Sequence, residues 1–293
     1  MLRRALMTLA FVAAALVAAP VIAQTAGDIP MSTPSSTGKV PVGGAEIYYE
    51  IHGDGPPLVL LHGGVDPSQT FGAPLAAMTK THKVIAIHMR GHGFSADTDA
   101  PWSSELMADD VAAVLQHLGI GKAHFMGYSL GAGVALQVAF RHPELVEKLV
   151  SVSVDYRTDD DYPEVREAFR QLPAHAAEYG QQLASSPLGE LYPDVDWERV
   201  FRKSGEMNEP EYDWTERVKA MTAPTLLVFA DADSIRPEHM VAFWKLLGGG
   251  QRDAGFDGSQ RPASRLAILP GTTHYNLIQS PLLTEVATAF LTQ

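Results

Sequence analysis

The 293-residue chain is 46% hydrophobic and 19% charged, proportions that allow a substantial buried core and exclude disorder as its main state. Its 22 Lys and Arg face 34 Asp and Glu, a formal net charge of -12, so the chain has no basic field to hold nucleic acid or an anionic lipid surface. The absence of cysteine excludes disulfides, thiolate zinc sites, iron–sulfur ligation and a Cys nucleophile.

At the start of the chain, Arg3 and Arg4 precede an Ala/Leu/Val-rich run over 5–19, followed by Pro20 and the small-residue site Val21-Ile22-Ala23. This pattern predicts a secretory signal peptide over 1–23, taken by the general route because the rest of a twin-arginine pattern is missing. The alternative is an uncleaved anchor, but the run is Ala-rich and interrupted by Thr8 and Pro20. Cleavage would remove two basic and no acidic side chains, shifting the charge from -12 to -14. The expected product is a periplasmic or secreted domain without stable membrane association. Residues 24–38, rich in Ser, Thr, Pro and Gly, predict a flexible linker, with the domain beginning near Lys39.

From there, short apolar runs at 46–52, 58–62, 84–88, 123–127, 146–154, 225–230 and 266–269 alternate with helical patterns at 103–118, 130–141, 237–247 and 281–291. The central runs are hydrophobic on both faces, as parallel strands covered by helices must be, and 46–52 fits an antiparallel edge. The expected fold is α/β: a mostly parallel sheet of about eight strands with helices on both faces. The core comprises 39–154 and 218–293. Between them, 155–217 is charged, aromatic and broken by prolines, with helical patches at 164–171 and 178–183, and predicts a helical cap inserted before the seventh strand. The Gly-rich stretch 248–264 is longer than a helix-to-strand connection needs and predicts a mobile surface loop, or else a decoration without function.

The string Gly127-Tyr128-Ser129-Leu130-Gly131 follows an apolar strand and opens an amphipathic helix. A serine raised on so tight a strand-to-helix turn needs a strained backbone, and side chains at 127 and 131 would collide with the turn, so both elbow positions require glycine. Ser129 is the candidate nucleophile, and the Leu130 amide at the helix N-terminus points toward an oxyanion formed at its target. A serine hydroxyl needs a base, and the base needs an orienting group. His274, in the loop after the last strand, is the candidate base. The loop after 225–230 offers Asp231 and Asp233. Asp233 is preferred because it lies farther past the strand, leaving Asp231 a backbone turn role. His62-Gly63-Gly64 ends the first buried strand and supplies a second oxyanion amide at Gly64, with His62 ordering the loop.

Other patterns have blander readings. His88 and His92 are separated by Gly91 and are not stacked as a zinc pair would be. Trp214, Phe243 and Trp244 read as packing residues, and Asp159, Asp160 and Asp161 as a solvated turn. No metal or cofactor is expected, and no G-x-G-x-x-G opens the first helix.

Taken together, the HGG loop at 62–64, the Arg90-Gly91-His92-Gly93-Phe94-Ser95 turn, the GYSLG elbow, His142-Pro143, and the Asp233 and His274 loops resemble the α/β-hydrolase superfamily from about Val42 onward. Within it, the likeness is to the small serine esterase, lactonase, carbon–carbon hydrolase and cofactor-free haloperoxidase group. The resemblance implies Ser129, Asp233 and His274 as a triad, with Gly64 and Leu130 as the oxyanion hole. The function expected is exported hydrolysis of a small carboxylic ester or lactone through an acyl-enzyme. A perhydrolase or carbon–carbon hydrolase on the same triad and a non-catalytic binding module are the alternatives. The cap side chains Tyr156, Tyr162, Phe169, Leu172, Leu183, Leu191 and Trp197 predict an apolar or mixed pocket roof. One departure is His88, which stands where relatives usually carry Asp and puts the hydrogen bonding of that loop in question.

Overall fold

The computed structural model describes residues 33–65 and 71–293; the expected signal peptide and the linker as far as residue 32 lie outside the described residues. Among the described residues, eight strands form one sheet in the order β1-β2-β4-β3-β5-β6-β7-β8. These are β1 (Ser36–Val42), β2 (Ala45–His52), β3 (Pro57–Leu61), β4 (Lys83–Ile87), β5 (Ala123–Tyr128), β6 (Val146–Val152), β7 (Thr225–Ala232) and β8 (Arg265–Thr273). The first two form an antiparallel hairpin that joins β4, and every later pairing is parallel.

The two-sided burial expected of the inner strands is visible residue by residue. Leu58 and Leu60 of β3 and Val84 and Ala86 of β4 pack on one face, while Val59, Leu61, Ile85 and Ile87 pack on the other. The first face is covered by α1 (Gly72–Met78) and α9 (Pro281–Leu291). The second is covered by α2 (Ser104–His117), α3 (Leu130–Arg141) and α8 (Pro237–Leu246). Ser103 caps α2 by accepting from the Leu106 amide at 3.1 Å. Since β3 is flanked by β4 and β5, the direction of winding reverses there, and the crevice at the carboxyl ends of β3 and β5 is the natural place for a ligand.

Between β6 and β7 lie α4 (Pro163–Ala184), α5 (Pro187–Leu191), α6 (Trp197–Met207) and α7 (Thr215–Lys219), within the stretch expected to form the cap. The two helical patches at 164–171 and 178–183 are parts of one helix that runs through Pro173. A side chain at Gly205 would lie 2.4 Å from the Pro173 ring, so α6 crosses α4 closely at the proline. Two elements were not expected. β1 begins at Ser36, inside the predicted linker, because backbone pairing with β2 from Ser36–Ile51 onward orders a polar edge strand. The short α1 has Gly72 and Pro74 in its first turn, which hides it from a helical period. Residues 248–264 carry no helix or strand.

Arg90 forms a buried bidentate pair with Asp110 of α2, at 2.9 Å and 2.6 Å, with both side chains almost fully enclosed. It fixes the turn after β4 to the helix that follows. Removing one partner would strand the other charge, so Asp110→Ala should lower unfolding free energy by about 3–5 kcal/mol. Urea denaturation at neutral pH reads this directly, and a loss below about 1 kcal/mol would match only a surface pair.

Candidate active site

The four strands β5 to β8 lie side by side, and their carboxyl ends deliver Ser129, Ser153, Asp233 and His274 in that order. Ser129 has φ 51° and ψ -117°, a conformation that disfavours side chains, and it caps α3. Its amide donates to the Val152 carbonyl at 2.9 Å, and its carbonyl accepts from Ala132 and Gly133. The elbow glycines are both forced. A Cβ at Gly127 would stand 2.2 Å from the Gly131 carbonyl oxygen, and one at Gly131 would stand 2.2 Å from the Leu61 carbonyl oxygen.

His274 Nε2 lies 3.1 Å from Ser129 Oγ, and its Nδ1 lies 3.1 Å from Asp233 Oδ1. The Tyr128 hydroxyl donates to the His274 carbonyl at 2.5 Å and fixes the loop. Asp233 has a fully buried side chain that accepts from the Ala230 and Ser234 amides, both at 2.8 Å. Burial alone would raise its pKa. The hydrogen bond and charge of His274, the Ser153 hydroxyl and the Ala230 amide outweigh burial and hold the carboxyl below its usual range. With a carboxylate facing Nδ1, the imidazole proton sits there and Nε2 is left as acceptor for the serine proton.

Sequence reasoning missed Ser153. Its hydroxyl donates to Asp233, 2.6 Å and 2.8 Å from the two carboxylate oxygens, and its oxygen lies 2.7 Å from His274 Nδ1. It is buried, with φ 54°. Ser234 Oγ stands 3.0 Å from the same nitrogen. Asp231 has the backbone task expected of it, accepting from the Gly271 and Thr272 amides at 3.0 Å and so steadying the approach to His274.

Gly64 and Leu130 both line the cavity at Ser129. Behind Gly64, His62 donates from Nδ1 to the Gly63 carbonyl at 2.7 Å and accepts the Met89 amide at Nε2, 2.9 Å away. Burial and the neighbouring His92 and His88 keep His62 well below the usual imidazole pKa, so it serves as a neutral brace. His92 Nε2 lies 2.7 Å from the Gly64 carbonyl. His88 meets the hydrogen-bonding need of its turn: its Nδ1 accepts the Phe94 amide at 3.0 Å and its carbonyl accepts the Ser95 hydroxyl at 2.6 Å. Burial brings its pKa down to about 4.

The cavity over Ser129 measures about 560 Å³. A second one, about 670 Å³ and lined by Asp97, Arg199 and Phe94 among others, contains none of Ser129, Asp233 and His274. The roof differs from expectation. Of the seven cap side chains expected to face the pocket, Phe169 alone lines it; Tyr156, Leu172, Leu183 and Trp197 are spent in the core, and Leu191 is exposed. Trp214 packs against the core as expected, and it also lines the cavity. The acidic run is not a solvated turn either. Asp160 is fully buried and pairs with Arg157 and His239, Asp161 lines the cavity, and Asp159 alone is exposed. Backbone bridging of Asp161 to Ile235 draws the run inward against the β7 loop.

A family model for the alpha/beta hydrolase fold matches residues 56–178. The RutD protein of Azorhizobium caulinodans, named as a carbamate hydrolase, is 32% identical over 232 residues, covering 72% of this chain and 85% of that one. An uncharacterized protein of Mycobacterium tuberculosis is 37% identical over 112 residues, covering 38% of this chain and 33% of its own length. Matches to the first of the curated relatives thus span only about a third to a half of their length. Among solved structures, an esterase from Thermogutta terrifontis superposes with a TM-score of 0.70 at 23% identity, covering 88% of this chain and 98% of that one, a likeness of fold. The chain belongs to the α/β-hydrolase family.

The strain at Ser129 makes a sign prediction. Ser129→Gly should be more stable than Ser129→Ala by about 1–3 kcal/mol, since only glycine adopts that conformation freely. Equal stability of the two variants in urea would mean the elbow is unstrained.

Proposed function

We propose that the protein is an exported serine hydrolase that cleaves a small carboxylic ester or lactone. The observation that carries this reading is the continuous relay from Ser129 Oγ through His274 to Asp233, with contacts of 3.1 Å on each side of the imidazole. The apolar leader over 1–23 supports export. No helix among the described residues is long and apolar enough to cross a membrane.

In this mechanism Ser129 Oγ attacks the acyl carbon and its proton passes to His274 Nε2. The carbonyl oxygen becomes an oxyanion, stabilised by the Gly64 and Leu130 amides, each contributing about 3–4 kcal/mol. The carbon–oxygen bond to the leaving alcohol then breaks, and the alcohol departs with the proton from His274. A water molecule next gives a proton to Nε2 and its oxygen to the acyl carbon. The bond to Oγ breaks, the proton returns to Ser129, and the carboxylic acid leaves. Asp233 stays ionised throughout, balancing the imidazolium. A second reading, carbamate cleavage through the same acylation, is favoured by the likeness to the A. caulinodans relative.

Presented with p-nitrophenyl esters of graded chain length and a matched carbamate, the wild type should show an alcohol burst followed by steady turnover. Ser129→Ala should abolish both, and Asp233→Asn should lower kcat by about ten-thousand-fold. Turnover in Ser129→Ala equal to wild type would remove the reading. Faster steady turnover of the carbamate than of any ester would select the second reading.

A further inference from the structure

Among the described residues, five carboxyl side chains line the cavity at Ser129: Glu105, Asp155, Asp161, Glu206 and Glu211. Among the same residues, no Lys or Arg lines it. Glu206 and Glu211 are exposed, and Glu206 pairs with Arg202 at 3.2 Å. Asp155 and Asp161 are drawn into the protein beside the His274 and Asp233 loops. Asp155 accepts the Tyr212 hydroxyl at 2.6 Å. Neither Glu211 nor Asp161 has a hydrogen-bond or ion-pair partner for its carboxyl among the described residues, but Glu211 is open to water whereas Asp161 is drawn in. Arg166, whose charge is felt at Asp161, pairs instead with Asp159 at 3.6 Å.

A largely buried carboxyl without a partner is costly, and a protein retains one where something from outside completes it. Burial first, then the charges of Asp155, Asp160 and Asp233, push Asp161 up to about 8, with Arg166 pulling the other way. The acids gathered around Asp161 favour a cationic guest over an anionic one. Aromatic faces stand in the same cavity: Tyr212 stacks on Trp214 with ring centroids 4.5 Å apart, and Tyr275 is 43% exposed. Such faces attract an alkylammonium. The acids are not gathered for a metal, since no group of three or more His, Asp or Glu among the described residues could hold one.

We propose that this cavity takes substrates bearing an ammonium group, held by the Asp161 carboxylate and the adjoining aromatic faces while the acyl carbon lies at Ser129. The inference rests on the serine-hydrolase reading and names its substrate class.

The test compares kcat/KM of the full-length protein for three acetates of similar size. These are trimethylammonioethyl acetate, its neutral carbon isostere dimethylbutyl acetate, and an acetate whose alcohol carries a carboxylate. At about pH 9 the cationic ester should exceed the neutral one by about ten-fold or more, with the anionic ester poorest. The groups facing Asp161 are Asp155, Asp160, Asp233, Arg166, Tyr212 and Tyr275, with His274 facing Asp155 and Asp233. Because Asp161 is charged only above its raised pKa, the cation-to-neutral ratio should fall several-fold from about pH 9 to about pH 6. Any effect of pH on the chemical step common to both esters cancels in the ratio.

In Asp161→Asn the ratio should approach one at every pH, and competitive inhibition by tetramethylammonium should weaken by about ten-fold. If that variant does not fold, the wild-type pH profile and the anionic ester still decide. A wild-type ratio at or below one, or one that Asp161→Asn leaves unchanged, overturns the inference. Ser129-dependent cleavage of the neutral ester with such a ratio leaves the hydrolase reading standing, whereas hydrolysis that survives Ser129→Ala removes that reading instead.

Discussion

The site depends on the crossing of three backbones, β3, β5 and the first turn of α3, at a distance that only glycine allows. Hypothetical Cβ atoms at 127 and 131 would each meet a carbonyl oxygen at 2.2 Å, so neither strand nor helix can move apart or rotate without losing the elbow. That lack of slack holds Ser129 at φ 51° and directs its hydroxyl out of the sheet. Parallel pairing does the rest. β6, β7 and β8 follow β5 in order, so loops that are distant in sequence open at one edge. Ser153, Asp233 and His274 then need only short excursions to meet.

Much of this fold was legible because burial on both faces writes a continuous apolar run, as in Leu58 to Leu61, and a short run bounded by turns points to an inner strand. Elements held by backbone pairing or by position were not legible. β1 reads Ser-Thr-Gly-Lys and carries no apolar signal before Val40, yet a seven-residue antiparallel ladder orders it. β8 runs on to Thr273 past Pro270 and Gly271, where Asp231 takes the two amides that β7 leaves without a regular partner. Pro173 reads as a break between two helices, but the Gly205 crossing lets one helix continue through it.

In the candidate site, the residues tied to a backbone constraint were the readable ones. The glycines around Ser129 mark a turn that excludes other side chains, and the Asp and His loops follow strands already identified. Ser153 carries no such mark, since a serine after an apolar strand is unremarkable until the fold sets it against Asp233. The run Asp159, Asp160 and Asp161 misleads for a related reason. Sequence shows three adjacent like charges, whereas the chain path gives one to solvent, one to Arg157 and His239, and one to the cavity. The cap aromatics were likewise placed by type, and most of them serve to join the cap to the core.

The central claim is that one hydroxyl, at position 129, is made nucleophilic by its surroundings. The most direct measurement treats the protein with a fluorophosphonate and maps the adduct by peptide mass spectrometry. The account predicts one adduct per chain, on Ser129, formed orders of magnitude more slowly once His274 is replaced by Ala. An adduct confined to any other residue, or continued acyl transfer by a chain that takes no label, would contradict it.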